Sequence, residues 1–194
     1  MSGNQRSWAL TLLGVVALLS SRPAWAAPSC PYSATQPEKF HLNGAVATPI
    51  TVDLALLESL PTSYATVSFV TGSGLKTVTY IGVPLIDLLN VAGLVPVSSE
   101  DVPNAKNADL RTYVVVTGSD CYTAALSLGE ILPAFGGQQV LVAFAQLDSN
   151  GHFQLLTDPS VGEGMARLVV PGDKAGGRYV SNIVHMHVHN ASWQ

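Results

Sequence analysis

The sequence predicts an α+β domain that is dominated by sheet and contains two or three short helices. Three observations predict this class. Many short β-branched or alternating segments are bounded by turn residues. Helical periodicity is confined to a few brief stretches. The chain shows no internal repeat and no low-complexity segment. Short strands mixed with brief helices are typical of a mixed fold with one core.

The first elements are a strand, a short helix and a hairpin. Residues 40–44 alternate between apolar and polar side chains, which predicts a strand. Asp53 is placed to cap a helix that reaches residue 60. The β-branched runs 66–70 and 77–81 flank a Gly-Ser-Gly turn, and they predict a β-hairpin.

A second helix is predicted within residues 82–94. Pro84 stands at its start and Gly93 at its end, the positions that these residues favour. Its buried face is predicted from four apolar residues at helical spacing, Leu85, Leu88, Leu89 and Ala92. Residues 95–109 are polar and predict a surface loop.

The second half of the chain is predicted to be mainly strand. Apolar runs indicate strands at 111–117, 121–126, 139–145 and 168–170, and a further strand beginning at Arg178. Ser127 and Glu130 have the spacing of a capping box and predict a short helix that ends near Pro133. Ser149-Asn150-Gly151 predicts a hairpin turn.

The first 26 residues are predicted to be a secretory signal peptide. Arg6 precedes an apolar run of about 12 residues, too short for a comfortable membrane span of roughly 20. Ala24-Trp25-Ala26 has the small-residue pattern of a cleavage site. We therefore expect an exported protein, periplasmic or secreted, with an extended lead-in at 27–39 and one domain at 40–194. A retained N-terminal anchor is the alternative.

The charge balance argues against nucleic acid as a partner. Removing Arg6 and Arg22 from the nine basic residues leaves seven against 13 acidic ones, a net charge of −6. No basic patch is visible, and no second long apolar run follows the first, so no membrane attachment is expected after cleavage. The expected partner is an anionic small molecule, and the sequence identifies no redox partner.

The two cysteines of the mature chain, Cys30 and Cys121, are predicted to form a disulfide. An even number of cysteines in an exported protein favours pairing. The alternatives are two free thiols, or a role for Cys121 as a ligand or nucleophile.

Two arginines near the C-terminus are the candidate anion-binding residues. Arg167 and Arg178 flank a glycine-rich stretch that includes Gly172, Gly176 and Gly177, where exposed backbone N–H groups suit a phosphate or carboxylate. The alternative interpretation is that each arginine forms an ion pair with a nearby carboxylate, namely Asp173, Glu163 or Asp158.

Four segments together resemble the molybdopterin-binding domain of sulfite-oxidase-type oxidoreductases. In order, they are Tyr80-Ile81-Gly82-Val83-Pro84-Leu85-Ile86-Asp87-Leu88-Leu89, Asp120-Cys121-Tyr122-Thr123-Ala124 with Glu130, Val140-Leu141-Val142-Ala143-Phe144 with Gly151, and the region from Arg167 to Val188. The resemblance implies that fold and a cleft for a molybdopterin-type cofactor. It also implies that Tyr122 and Tyr179 contribute a hydroxyl or an aromatic wall beside Arg167, Arg178, Gly172 and Gly177.

The chain departs from that family at the metal-ligand segment, where the cysteine and a following asparagine-arginine pair are missing, and at one position of the last strand. The family's metal-ligating cysteine would fall within residues 68–74, where this sequence has Ser-Phe-Val-Thr-Gly-Ser-Gly. A thiolate is the soft anionic ligand that such a metal prefers, and the hydroxyls present do not replace it. Ser181 occupies the position of a family lysine. These departures argue against catalysis in the family's manner.

Three histidines alternate at the end of the sequence. His185, His187 and His189 should share one face of a strand, with Val184, Met186 and Val188 on the other. His185 and His187 are the candidate metal ligands. A solvated polar face is the alternative.

The sequence thus leaves several functions open. The first is an exported binding protein that holds an anionic small molecule or a pterin-type cofactor. The second is an active molybdenum-dependent oxidoreductase with a ligand other than cysteine. The third is a metal-handling or partner-binding protein that uses the histidine strand. Whether the chain is an enzyme stays open.

Overall fold

The structure is a computed structural model that describes residues 30–32, 37–95 and 106–191. The predicted signal peptide, part of the predicted lead-in and most of the predicted loop at 95–109 lie outside these residues. No helix within the described ranges is long and apolar enough to cross a membrane.

The predicted fold class is confirmed, because strands greatly outnumber helices in the described residues. The strands are β1 (Lys39–Gly44), β2 (Ile50–Asp53), β3 (Ser63–Thr71), β4 (Gly74–Pro84), β5 (Thr112–Gly118), β6 (Thr123–Ser127), β7 (Leu141–Leu147), β8 (Phe153–Leu155), β9 (Arg167–Val169) and β10 (Ile183–Asn190). The helices are α1 (Leu54–Ser59), α2 (Leu85–Val91) and α3 (Leu128–Ile131), with 3₁₀ turns at Ala108–Arg111 and Gly176–Arg178.

The strands form two five-stranded sheets. Sheet I has the order β2-β1-β10-β5-β6, in which β1 and β10 run parallel and the other neighbours are antiparallel. Sheet II has the order β3-β4-β7-β8, and β9 also pairs with β7. The buried side chains of both sheets belong to one contiguous hydrophobic cluster. A single core therefore holds the two sheets in one domain.

The helix starts predicted from capping residues and from Pro84 are present in the structure. Asp53 accepts a hydrogen bond from the Leu56 N–H at 2.9 Å and caps α1. α2 follows Pro84 and buries Leu85, Leu88 and Leu89. Both halves of the capping box of α3 are present, since Ser127 accepts from the Gly129 N–H at 3.2 Å and Glu130 accepts from the Ser127 N–H at 3.1 Å.

Turns displace two of the predicted strand starts. The strand expected from Arg178 begins only at Ile183, because Gly176–Arg178 is a 3₁₀ turn and Asn182 has a left-handed φ of 50°. The strand expected from residue 121 begins at Thr123, because Cys121 has a φ of 64° and donates its N–H to the Gly118 carbonyl. Both are turn conformations that apolar patterning does not reveal.

Candidate functional site

Arg167 is a buried cation on β9. Its side chain is 11 % exposed, and its Nη1 lies 2.7 Å from Glu163 Oε1 and donates to Ser181 Oγ at 2.9 Å. Its Nε is buried without a hydrogen-bond partner among the described residues. The guanidinium therefore retains donor capacity that the surrounding side chains do not use.

Three aromatic rings surround this guanidinium. Its central carbon lies 5.9 Å from the Phe69 ring centroid and 5.7 Å from those of Tyr80 and Tyr179. Phe69 and Tyr179 also stack on each other, with centroids 4.2 Å apart. The faces of aromatic rings attract a cation, so this cage partly offsets the cost of removing Arg167 from water.

Glu163 joins Arg167 to two other groups. Its Oε1 also lies 3.0 Å from Lys76 Nζ, and its Oε2 accepts a hydrogen bond from the Tyr80 hydroxyl at 3.3 Å. Burial is the largest cause that raises the pKa of Tyr80 above its usual range, and the adjacent Arg167 acts in the opposite direction. With Tyr80 neutral, two cations face one carboxylate, and the cluster carries a net charge of +1.

A recess of about 380 Å³ opens beside Arg167. It is lined by Phe69, Val70, Thr71, Gly72, Arg167, Ala175, Gly176 and Gly177. One wall is the end of β3. The other is the glycine segment, which is held to that strand by a hydrogen bond from the Val70 N–H to the Lys174 carbonyl at 2.9 Å. The recess thus combines a buried cation with glycines that leave the backbone accessible.

Arg178 has different surroundings. It donates to both oxygens of Asp173, from Nε at 2.8 Å and from Nη2 at 2.7 Å, and from Nη1 to Glu130 at 2.7 Å. The hydrogen bonds to Asp173 are the largest cause that raises its pKa above the usual arginine value. Two carboxylates around one cation give a net charge of −1, and this pairing corresponds to the ion-pair alternative for Arg178.

Tyr122 and Tyr179 line a different recess of about 320 Å³, together with Ser119, Asp120, Val180, Ser181 and Asn182. The Tyr122 hydroxyl donates to the Gly177 carbonyl at 2.5 Å, and the Tyr179 hydroxyl donates to the Val170 carbonyl at 3.0 Å. Both hydroxyls are therefore engaged with backbone.

The predicted site residues are thus divided between the two recesses and the segments beside them. Arg167 and Gly177 line the first recess, and the two tyrosines line the second. Neither lining includes Arg178 or Gly172. Ligand binding by these residues stays a prediction. Sequence reasoning missed Phe69 and Tyr80, which contact Arg167, and Lys76, which contacts Glu163. They come together only through the pairing of β3 with β4 and the packing of sheet II.

The predicted disulfide between Cys30 and Cys121 is present, with Cα atoms 5.6 Å apart. It attaches the N-terminal segment to the turn between β5 and β6. Asp120 and Tyr122, which flank Cys121 in sequence, line the second recess. Since the chain has two cysteines, the bond consumes both thiols.

The C-terminal histidines share one face of β10, as predicted. The rings of His185 and His187 have centroids 5.7 Å apart, and those of His187 and His189 are 4.2 Å apart. Burial, followed by the neighbouring histidines, lowers the pKa of His185 and of His187. Within the described ranges, no group of three or more His, Cys, Asp or Glu side chains is arranged to hold a metal ion.

Comparison with known proteins supports the fold. No family model matches the chain, and no curated protein matches it. Among solved structures, the sulfane dehydrogenase SoxCD from Paracoccus pantotrophus is similar, with a TM-score of 0.61 and 20 % sequence identity. The match covers 81 % of this chain and 39 % of the other, so this chain spans about two fifths of its neighbour's length. At this identity the likeness shows a related fold and nothing finer.

The residues present do not fit a molybdenum ion held by a cysteine thiolate. Both cysteine sulfur atoms are in the disulfide. At the tip of the β3–β4 hairpin, where the resemblance places that ligand, the Thr71 hydroxyl is already bonded to Ser73 Oγ and to the Gly74 carbonyl, each at 2.9 Å. A neutral, hydrogen-bonded hydroxyl does not replace an anionic thiolate. The cation and glycines of the first recess, in contrast, fit an anionic group.

Proposed function

We propose that this protein is an exported binding protein that holds an anionic small molecule, of which a pterin-type cofactor is one example, in the recess beside Arg167. The observation that carries the proposal is that Arg167, a largely buried cation in a cluster of net positive charge, lines an open recess. An incoming phosphate or carboxylate would neutralise the excess charge of this cluster and accept hydrogen bonds from groups that line the recess.

The glycine segment adds to this preference. Gly72, Gly176 and Gly177 line the recess without side chains. A carboxylate or phosphate oxygen can therefore approach the backbone closely, as anions do where successive N–H groups are exposed. Val70 and Ala175 supply apolar wall on either side, which suits a ligand with an anionic end and an organic body.

The test is a binding titration with pterin-6-carboxylate, which is both anionic and fluorescent, with inorganic phosphate as a competitor. We expect saturable binding that phosphate weakens. Arg167→Gln should lower the affinity about ten- to hundredfold, the effect of losing a charge-assisted hydrogen bond of about 1.5–3 kcal/mol. Arg178→Gln is the matched control and should bind normally, because two carboxylates occupy its guanidinium.

A second variant keeps the test decisive if Arg167→Gln unfolds the chain. Ala175 is exposed and lines the recess, so Ala175→Trp should block the recess while leaving the guanidinium and its partners in place. Normal binding by Ala175→Trp, or equal loss in Arg178→Gln and Arg167→Gln, would overturn the proposal. Stoichiometric molybdenum in the purified protein would instead favour the oxidoreductase alternative.

We further propose that the chain is exported after cleavage at Ala26. The Cys30–Cys121 disulfide supports this location, since such bonds persist in oxidising compartments. Expression in a bacterial host with N-terminal sequencing of the periplasmic fraction should give a mature chain that begins at Ala27. Recovery of the uncleaved chain in the cytoplasm would contradict it.

A further inference from the structure

The outward face of sheet I concentrates histidines on its parallel pair of strands. In β1 and β10, Phe40, Leu42, Met186 and Val188 are buried in the core. The alternate positions therefore face outward, since strand side chains alternate between faces. The register sets His41 opposite His185 and Asn43 opposite His187, and on the other side of β10 it sets Tyr113 opposite His189. Four of the chain's five histidines lie on this face.

Two of these rings converge on a single atom. Asn43 Oδ1 lies 3.0 Å from His185 Nε2 and 2.6 Å from His187 Nδ1. One nitrogen from each ring is thus directed at the same place, between two strands that fix both backbones. An isolated pair of surface histidines has no such common focus, because each side chain is free to choose its rotamer.

We propose that His185 and His187, together with Asn43, form a binding site for one divalent transition-metal ion, with Cu²⁺, Ni²⁺ and Zn²⁺ as the candidates. The two imidazole nitrogens supply the ligands that these borderline ions prefer. On metal binding each neutral ring changes tautomer: the nitrogen that faces Asn43 loses its proton to solvent and the other ring nitrogen takes one up from solvent, so both rings stay neutral. The amide oxygen becomes a third ligand or yields its place to water. Metal–nitrogen distances of about 2.0–2.1 Å require the rings to move closer than they are around the amide oxygen.

The neighbouring groups suit an exchangeable ion. His41 lies opposite His185 on the adjacent strand, and its Nδ1 is hydrogen-bonded to Thr51 Oγ1 at 3.1 Å. It offers the ion a further imidazole ligand. His189 stacks on Tyr113, with centroids 5.0 Å apart, and packs against His187 from the other side. Both ligand rings are half-buried, so the site is open to solvent and water completes the coordination. An open site of two histidines is expected to release its ion readily.

This site is independent of the anion recess, because it lies on sheet I and the recess lies beside β3 and β9 of sheet II. A protein that failed to bind pterin-6-carboxylate could still bind the metal, and the reverse also holds. The two proposals therefore fail separately.

The test is calorimetric titration of the oxidised, metal-free chain with CuCl₂, NiCl₂ and ZnCl₂. We expect one ion per chain for at least one metal, and nitrogen hyperfine structure in the electron paramagnetic resonance spectrum of the Cu²⁺ form. His185→Gln and His187→Gln should each weaken binding at least tenfold. His152→Gln is the matched control, because His152 is exposed on the β7–β8 turn and pairs with Asp148 at 3.5 Å; it should bind like the unsubstituted chain.

A variant that should bind the metal more tightly separates loss of the site from misfolding, because a misfolded protein would not gain affinity. Asn43→Asp puts a carboxylate at the common focus and should tighten binding at least tenfold, since an anionic oxygen is a stronger ligand than an amide oxygen. Three outcomes would overturn the proposal. They are no binding of any of the three metals, binding that survives the loss of both His185 and His187, and loss of binding in His152→Gln.

Discussion

Arg167 and Arg178 carry the same charge in opposite electrostatic surroundings. Arg167 shares Glu163 with Lys76 and is left in a net positive cluster, whereas Arg178 is matched by two carboxylates. In the sequence both arginines flank the same glycines, so local spacing does not distinguish them. What separates them is long-range: Lys76 lies 87 residues from Glu163, and Glu130 lies 48 residues from Arg178. Local spacing predicts the candidates and cannot assign their partners.

Glu163→Gln should destabilise the protein by about 3 kcal/mol, because it leaves the buried Arg167 cation without its counter-charge. Urea unfolding monitored by circular dichroism measures this change. Glu58→Gln, at an exposed position of α1, is the matched control and should change the free energy of unfolding by less than about 0.5 kcal/mol. Equal effects of the two substitutions would show that the Glu163–Arg167 pair contributes nothing specific.

At alkaline pH, Tyr80→Phe should lose stability less steeply with rising pH than the unsubstituted protein does. The pKa of Tyr80 is raised in the folded protein, mainly by burial, so the unfolded chain loses this proton first as pH rises. Stability from this group is complete below the ordinary tyrosine pKa of about 10 and is lost as pH rises above it. The measurement is the free energy of unfolding between about pH 8 and about pH 11, a window that brackets that pKa. This free energy should fall less steeply with pH for Tyr80→Phe than for the unsubstituted protein. Identical slopes would contradict this assignment.

At the scale of single elements, short-range signals predict the structure well. The cap at Asp53, the capping box at Ser127 and the β3–β4 hairpin depend on residues within a few positions of one another, and all three form. The predicted start of β10 at Arg178 is wrong because the 3₁₀ turn at Gly176–Arg178 and the left-handed conformation of Asn182 precede the strand. The pairing of β1 with β10 could not be predicted locally either.

Gly44→Ala should be much more destabilising than Gly74→Ala. Both glycines have positive φ, 96° and 113°, so each substitution carries backbone strain of about 1–2 kcal/mol. A Cβ at Gly44 would in addition lie 2.2 Å from the Val188 carbonyl oxygen of β10, whereas one at Gly74 meets no atom within 4 Å. Gly44→Ala must therefore push β1 away from β10. Thermal unfolding of the two variants compares the effects, and equal losses would show that strain alone decides.

At the scale of the whole molecule, the disulfide joins two segments that are 91 residues apart. Replacing both cysteines, Cys30→Ser with Cys121→Ser, should cost about 2–5 kcal/mol of stability, because the unfolded chain regains the freedom that the closed loop removes. Denaturant unfolding measures this loss. A thiol reductant should lower the stability of the unsubstituted protein by a similar amount and leave the double variant unchanged. If the reductant affected both proteins equally, the bond would not be the cause.

The central strand of sheet I comes late in the chain. Asn43 of β1 and His185 of β10 are hydrogen-bonded although they are 142 positions apart in the sequence. A ribosome therefore makes every other described strand before β1 can pair with its parallel neighbour. Until β10 is made, sheet I of the nascent polypeptide lacks its central strand, and its unpaired edges are exposed to proteases and to aggregation.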